Sequence, residues 1–376
     1  NLQRCKFDLQ VQAHFRNCSV ICSSLLARGM HMSGTNNGSR RVRLVDVARH
    51  AGVSTKTVSN VVHNYQHVTP DMRSRVQKAI TDLGYKPNLT ARRLVTGKTS
   101  MIALAIPETN HPYFSSLADA IVKAAEDRDY RVLIEQTDGD SEKELDVLRD
   151  REAGLVDGVI FQPAKVTSLD LAQIQEDTPV VMLGEAASPI SFDHIMIDNT
   201  AASEVAVKHL IGLGRKRIAF LGDVRGDSAG ATKKRLTGYQ KGLEDSGLSV
   251  DTSLVLQVES FSPESAKVAV QEAIRSGIEF DGLLCRDDRF AVAALQLLRD
   301  EGISTPEEIA VIGWDDTVLA RYSYPTLTSV SPNIQAIAND AVTMLIERIE
   351  GLSGTGRHVL APYNLHIRES APAVKA

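Results

Sequence analysis

Between Met101 and Trp314, short apolar runs alternate with stretches of helical spacing, and this alternation restricts the fold more than any other feature. The runs MIALAIP, RVLIEQ, DGVIFQP, PVVMLG, RIAFLG, LVLQV, DGLLC and IAVIGW each have the length of a buried strand. Between most of them, residues 113–128, 141–153, 200–213, 229–246, 263–276 and 288–301 carry apolar positions at helical intervals. A parallel return needs a crossover long enough to hold a helix, so strand–helix alternation predicts parallel sheets covered by helices on both faces. Eight strands exceed one modest sheet, which predicts two lobes. Ligands of such sheets bind beyond the carboxyl ends of the strands. A cleft between two lobes would gather those ends.

Residues 40–86 follow a different pattern, with no strand runs and three short helical ones. LVDVARHA ends at Gly52, which permits a tight turn. Ser54 is placed to N-cap a second helix over 55–62. A third runs from about Asp71 to Leu83 and closes at Gly84. Val58, Val61 and Val62 can pack on Val47, Ala48 and Ala51 of the first helix. The opposite face then presents Thr55, Lys56, Ser59 and Asn60, short donors and acceptors suited to base edges. A generic three-helix bundle with a polar exterior is the competing reading of the spacing alone.

Charge sharpens the contrast. The whole chain is acidic, with a formal net charge of -5, yet residues 40–98 hold twelve Lys or Arg against three Asp or Glu, a net of +9. A compact basic segment on an acidic body is the footprint of a nucleic-acid contact.

RLVDVARHAGVSTKTVSNVVHNYQHVTPDMRSRVQKAITDLGYKPNLTARRLVTGKTS closely resembles the lactose/purine repressor family of bacterial transcription regulators, the LacI type. The resemblance continues through FLGD, KRLTGYQKGL, GWDDT, YPTLTSV and HIRES, and spans residues 42 to about 370. It implies an α/β protein in which an all-helical helix-turn-helix headpiece precedes a two-lobed periplasmic-binding-protein-like domain of parallel sheets flanked by helices. On that organisation 40–86 is the DNA-binding domain, 87–99 a hinge helix and linker, and 100–376 the effector-binding and dimerisation domain. The N-lobe would comprise about 100–198 and 331–357, and the C-lobe about 199–330 and 358–370.

The resemblance also implies roles. Thr55, Lys56 and Asn60 would read bases, with Thr57 and Ser59 nearer phosphates. In the hinge, Arg92, Arg93 and Lys98 lie around Leu94, whose counterpart in the family pairs with its dimer mate and wedges into the minor groove. A hinge of about ten residues is marginal as an isolated helix. It would form only when DNA and a correctly spaced partner support it, so rotating the lobes could decide whether it exists.

In the cleft, Arg235 in KKRLTGY and Asp315 in GWDDT match effector-binding positions of the family. Asp287 in CRDDRF stands where many members carry Asn, which exchanges amide donors for an acceptor. Phe261 falls near a position that often supplies an aromatic platform, and Asn110 and Phe114 follow the first strand of the other lobe. Arg and Asp can each make two hydrogen bonds to neighbouring hydroxyls, so a sugar or nucleoside-like polyol is the expected effector. Other readings stay open. Asp315 and Asp316 could both be helix caps, Asp288 a cap for the helix after it, Arg235 a surface residue and Phe261 a core residue.

Nothing in the sequence points to an enzyme. There is no Ser-His-Asp motif, P-loop, HExxH run or CxxC pair, and GLGRKR at 212–217 precedes its strand instead of following it. The ten histidines lack ligand spacing, so neither metal nor cofactor is expected. No apolar run reaches the ~18 residues of a membrane helix. With three of four cysteines inside the first 22 residues and Cys285 alone, a cytoplasmic setting is expected. Residues 1–39 show no sustained periodicity, and the apolar part of VICSSLLARG is short and broken by serines; a tail or a misassigned start, with Met30 or Met32 as the first residue, is the expectation. The apolar helix with Val292, Leu295, Leu297 and Leu298 reads as core, or as core plus a dimer seam. No heptad-bearing helix follows HIRES, which favours a homodimer over a tetramer.

Overall fold

The computed structural model describes residues 42–62, 65–85, 98–152, 154–171, 179–186, 189–224 and 230–374. The expectations for residues 1–39 and for Arg92 and Leu94 lie outside these residues. The chain divides into two compact units, residues 1–88 and 89–376.

The described residues of the first unit form helices joined by turns. Helix α1 (Leu44–Ala51) stops at Gly52, whose left-handed backbone (φ 63°) turns its N–H back onto α1 carbonyls. Ser54 Oγ accepts the Thr57 N–H at 3.0 Å and starts α2 (Thr55–Val62). Thr69 caps α3 (Pro70–Leu83), which has Pro in its first turn and ends at left-handed Gly84. Val47, Ala48, Ala51, Val58, Val61, Val76 and Ala79 are buried together, with Val62 partly buried against them. Arg75 on α3 donates to the Ala51 carbonyl at 2.6 Å and to the Gly52 carbonyl at 3.2 Å, so it fastens the end of α1 to α3.

The second unit holds two six-stranded sheets built from the described strands. In the N-lobe, β1 (Met101–Ile106), β2 (Arg131–Gln136), β3 (Gly158–Phe161), β4 (Val180–Leu183), β5 (Asp193–Met196) and β11 (His358–Leu360) lie in the order β11-β5-β4-β3-β1-β2, all parallel. One face carries α4 (Pro112–Glu126) and α12 (Ile334–Ile349) over Ile102, Leu104, Ile160 and Val181. In the C-lobe, β6 (Ile218–Val224), β7 (Val255–Val258), β8 (Gly282–Cys285), β9 (Ala310–Trp314), β10 (Thr328–Pro332) and β12 (Tyr363–His366) lie in the order β12-β10-β9-β8-β6-β7. Only the β10–β12 pairing is antiparallel there. Helices α7 (Asn199–Gly212) and α8 (Gly230–Asp245) cover one face, and α9 (Pro263–Arg275) and α10 (Asp288–Asp300) the other.

The eight expected strands are all present within a residue or two. Four strands, α12 and the short helices Ser168–Leu171 and Val318–Tyr322 were not foreseen. β5 hides because FDHIM places Asp193 inside a strand. That carboxylate is fully buried and taken up by Arg348 Nη2 at 2.9 Å and Arg357 Nη2 at 2.7 Å. Although burial alone would raise its pKa, the two arginines hold Asp193 well below the ordinary carboxylate range. β11 and β12 are only three and four residues long. β11 also corrects a boundary: 358–360 were expected in the C-lobe, yet they pair with β5 in the N-lobe sheet. The chain therefore passes between lobes after Met196, after Pro332 and after Leu360.

Leu295, Leu297 and Leu298 on α10 are buried in the C-lobe core with Val292 packed against them, and this lobe consumes them. Among the described residues, no helix is long and apolar enough to cross a membrane.

Candidate functional site

Two surfaces carry the chemistry anticipated from the sequence, one on each unit. On the headpiece, Thr55 and Lys56 are exposed, and Ser59 and Asn60 are half-buried on the same helix. Thr57 differs from them. Its hydroxyl stands 2.9 Å from Ser54 Oγ inside the helix cap, which ties it into the start of α2.

The second surface is a cavity of about 760 Å3 between the lobes. Arg235 enters it from α8. This helix lies close on α7 because Gly238 and Gly242 face it, and a Cβ at Gly238 would stand 2.1 Å from the Thr200 carbonyl oxygen. Arg235 is no surface residue. Its Nε donates to Asn199 Oδ1 at 2.8 Å, Nη1 donates to the Arg286 carbonyl, and the guanidinium stacks 4.1 Å from the centre of the Trp314 ring. Burial lowers its pKa, with Asp315 opposing that pull.

Asp315 follows the end of β9 and is only 6% exposed. It caps no helix, since Thr317 holds the N-cap position of α11 (Val318–Tyr322). Its backbone sits at φ 94°, in territory where L-residues are strained. Among the described residues its carboxylate has neither a hydrogen bond nor an ion pair, and it lines the cavity. Burial raises its pKa, with Arg235 and His111 opposing. Asp316 is also no cap. It is held by His366 Nδ1 at 2.7 Å and Arg368 Nη2 at 2.5 Å.

The paired acids of CRDDRF have separate roles. Asp287, not Asp288, caps α10, accepting the Phe290 N–H at 3.0 Å on Oδ1. Its Oδ2 takes Arg286 Nη1 at 3.1 Å, with Arg289 Nη2 at 3.5 Å and His111 Nε2 at 3.8 Å. Burial alone would raise its pKa, yet His111, Arg286 and Arg289 hold it well below the carboxylate range. Asp288 turns inward, accepting Thr317 N–H at 2.6 Å, Thr317 Oγ1 at 2.9 Å and Ser329 Oγ at 2.7 Å. Burial and the nearby charge of Asp315 push it up to about 8. Gly313 makes room for it, since a Cβ there would lie 2.4 Å from Asp288 Oδ1.

Phe261 lines the cavity at 37% exposure, but the Arg286 guanidinium covers its ring at 4.0 Å. It is neither core nor an open platform. Phe114 lines the N-lobe side, with the His111 ring 5.0 Å away. Asn110 does not line the cavity. It is exposed, and the next residue, His111, caps α4 and faces Asp287 instead.

The structure adds residues that the sequence reading passed over. Tyr113 lines the cavity, and burial raises its hydroxyl pKa beyond the ordinary range. Glu185 of the N-lobe accepts Asn199 Nδ2 at 2.6 Å and pairs with Lys234 of the C-lobe. Arg286 and Arg289 had one available signal, their position on either side of the unusual Asp287-Asp288 pair.

Comparison with known proteins follows the two units. Residues 43–88 match the family model for bacterial regulatory proteins of the lacI family, and residues 207–371 match a periplasmic binding protein-like domain. The transcriptional regulator RegA of Clostridium saccharobutylicum is 33% identical over 80% of this chain and 91% of its own. The structure of a transcriptional regulator CelR–cellobiose complex is 29% identical, covers 88% of this chain and 100% of that one, and superposes with a TM-score of 0.65. A lac repressor dimer bound to operator is 24% identical over 89% of this chain and all of that chain, with a TM-score of 0.77, a likeness of fold.

Proposed function

Because the chain belongs to the lacI family of bacterial regulatory proteins, we propose that this DNA-binding transcriptional regulator is a repressor that binds a pseudo-palindromic operator as a homodimer in the cytoplasm. Its relatives are regulators and not enzymes. The small-molecule effector occupies the interlobe cavity and is a sugar or another polyol.

One observation carries the effector reading. Asp315 is a buried residue whose carboxylate, among the described residues, makes no hydrogen bond or ion pair, on a strained backbone, in a cavity shared with buried Arg235. Its carboxylate lines the cavity, where a hydroxylated ligand would donate to it. The likeness to a regulator in complex with cellobiose supports the same class. In this reading Arg235 and Asp315 bind hydroxyls, and Phe114 and Tyr113 close the N-lobe side. Thr55, Lys56 and Asn60 read bases, Ser59 approaches phosphate, and Arg92 and Leu94 act from the hinge at 87–99. Asp287 holds the arginines in place and leaves ligand contact to its neighbours.

The first experiment is selection of a random-sequence DNA pool on the full chain at near-physiological salt, because affinity without a stated salt has no meaning. Enrichment of a palindrome with a flexible central step such as CpG is expected. A pool that stays random, both with the full chain and with a chain starting at Met32, would refute the operator reading. An enriched site then provides the assay for effectors.

A further inference from the structure

Arg289 is not accounted for by the neutral polyol just described. Its side chain is mostly buried in the cavity wall, in the first turn of α10. Among the described residues its guanidinium makes no hydrogen bond, and its Nε is buried without a partner. Two carboxylates form long ion pairs with it and no hydrogen bond. Asp287 Oδ2 lies 3.5 Å from Nη2, and Glu108 Oε2 lies 3.7 Å from Nη1.

Both ion pairs are long, and neither carboxylate accepts a hydrogen bond from it. Asp287 already uses Oδ1 to cap α10 and Oδ2 to receive Arg286. Glu108 is half-exposed at 43% and comes from the other lobe, so its attraction is screened and weak. A guanidinium presents five donors in a planar fork that matches carboxylate or phosphate oxygens. An arginine only 16% exposed, with an unsatisfied Nε and, among the described residues, two long ion pairs but no hydrogen bond, is suited to receive an anion from the cavity. Arg286, paired with the same Asp287 carboxylate, adds positive potential to that end of the cavity.

We propose that the effector is an anionic polyol, a sugar ring or chain carrying a carboxylate or a phosphate, whose anionic group binds Arg289 in place of Glu108. Its hydroxyls reach Asp315 and Arg235. The inference rests on the cavity being the effector site. It also gives the ligand a means to act on the lobes. Glu108 belongs to the N-lobe and Arg289 to the C-lobe, so an anion that takes Arg289 removes one interlobe attraction and substitutes a contact of its own.

The test is calorimetry and thermal melting of the full chain with D-glucuronate, D-galacturonate, D-gluconate, D-glucose 6-phosphate and D-fructose 6-phosphate, beside D-glucose, D-galactose and cellobiose. At least one anionic probe is expected to bind ten- to hundredfold more tightly than its neutral counterpart, the range of a charge-assisted hydrogen bond, and to weaken as salt rises. Carboxylate and phosphate probes separate the two sources of charge. Arg289→Gln should abolish the preference for the anion while leaving a neutral probe's affinity within about twofold. Glu108→Gln, at a half-exposed position, should tighten the anionic probe a few-fold. Binding of neutral probes without any anionic one overturns the proposal and leaves the polyol reading standing. Silence from every probe overturns both. Equal losses for charged and neutral probes in Arg289→Gln would make Arg289 structural and also overturn it.

Discussion

Asp315→Asn should make the ligand-free protein more stable and its effector binding weaker, in one substitution. The two side chains are nearly isosteric, and Asn tolerates positive φ as well as Asp does, so the backbone at φ 94° need not change. What changes is a buried charge. Burial outweighs the attraction of Arg235 and His111, because the net direction of the Asp315 pKa is upward. The ionised carboxylate is therefore a net cost to the folded state at neutral pH. Partial desolvation of a polar group without a hydrogen-bond partner costs at most about 1–3 kcal/mol. A gain of about 1–2 kcal/mol in the variant is the expected size, or roughly 2–8 °C in melting temperature for a domain of this class. The pH dependence fixes the sign. A carboxyl whose folded pKa is raised contributes stability that is present below its unfolded value, near 4, and is lost as pH rises through the folded value. The gap between variant and wild type should thus be absent in acid, open as pH rises above about 4, and stay open at pH 8. Differential scanning fluorimetry across that range measures it. Titration of an operator-releasing or operator-strengthening ligand should show affinity reduced ten- to hundredfold. A variant that melts at or below wild type at neutral pH, with no widening gap, would mean that the carboxylate is already satisfied in solution, and the reasoning from an unpartnered acceptor would fail.

Other outcomes follow from separate contacts. Gly238→Ala gains helix propensity of about 1 kcal/mol but forces a Cβ to 2.1 Å from the Thr200 carbonyl oxygen, so α8 must move off α7. A net loss of about 1–3 kcal/mol in thermal melts is expected, with effector affinity falling because Arg235 rides on α8. Arg75→Met keeps the aliphatic stem and removes the donors to the Ala51 and Gly52 carbonyls. Chemical denaturation should show a headpiece less stable by about 1–2 kcal/mol, and an unchanged midpoint would deny Arg75 its fastening role. Asn60→Ala and Lys56→Ala should each relax base preference at one operator position in binding titrations, and loss of the Lys56 charge should also flatten the salt slope. Leu94→Ala should lose most specific affinity and retain salt-sensitive non-specific binding; equal operator affinity for both forms would exclude the wedge.

Legibility in the sequence followed locality. The headpiece was readable almost to the residue because its signals are short-range. Ser54, Gly52, Thr69 and Gly84 start or stop helices through hydrogen bonds to residues a few positions away. The eight apolar runs were readable because a strand buried on both faces has no polar position to break it. β5 was not, because its Asp193 is neutralised by Arg348 and Arg357 from more than 150 residues along the chain. β11 was assigned to the wrong lobe because three residues carry no statement of which sheet they join.

In the cleft, the sequence alone identified the residue types, through the match of Arg235 and Asp315 to a known pattern and through the departure at Asp287. Tertiary structure decided what each one does. It gave the helix cap to Asp287 and turned Asp288 inward, although the two are adjacent. It laid Arg286 over Phe261 and so closed the aromatic platform, and it replaced Asn110 by His111 on the cavity wall. The reason is physical. Whether a charged side chain is spent or available depends on which partners lie within about 3 Å, and in a two-lobed sheet those partners come from strand ends far apart in the chain. Periodicity can determine that such ends meet, but not which carboxylate among them is left without a donor.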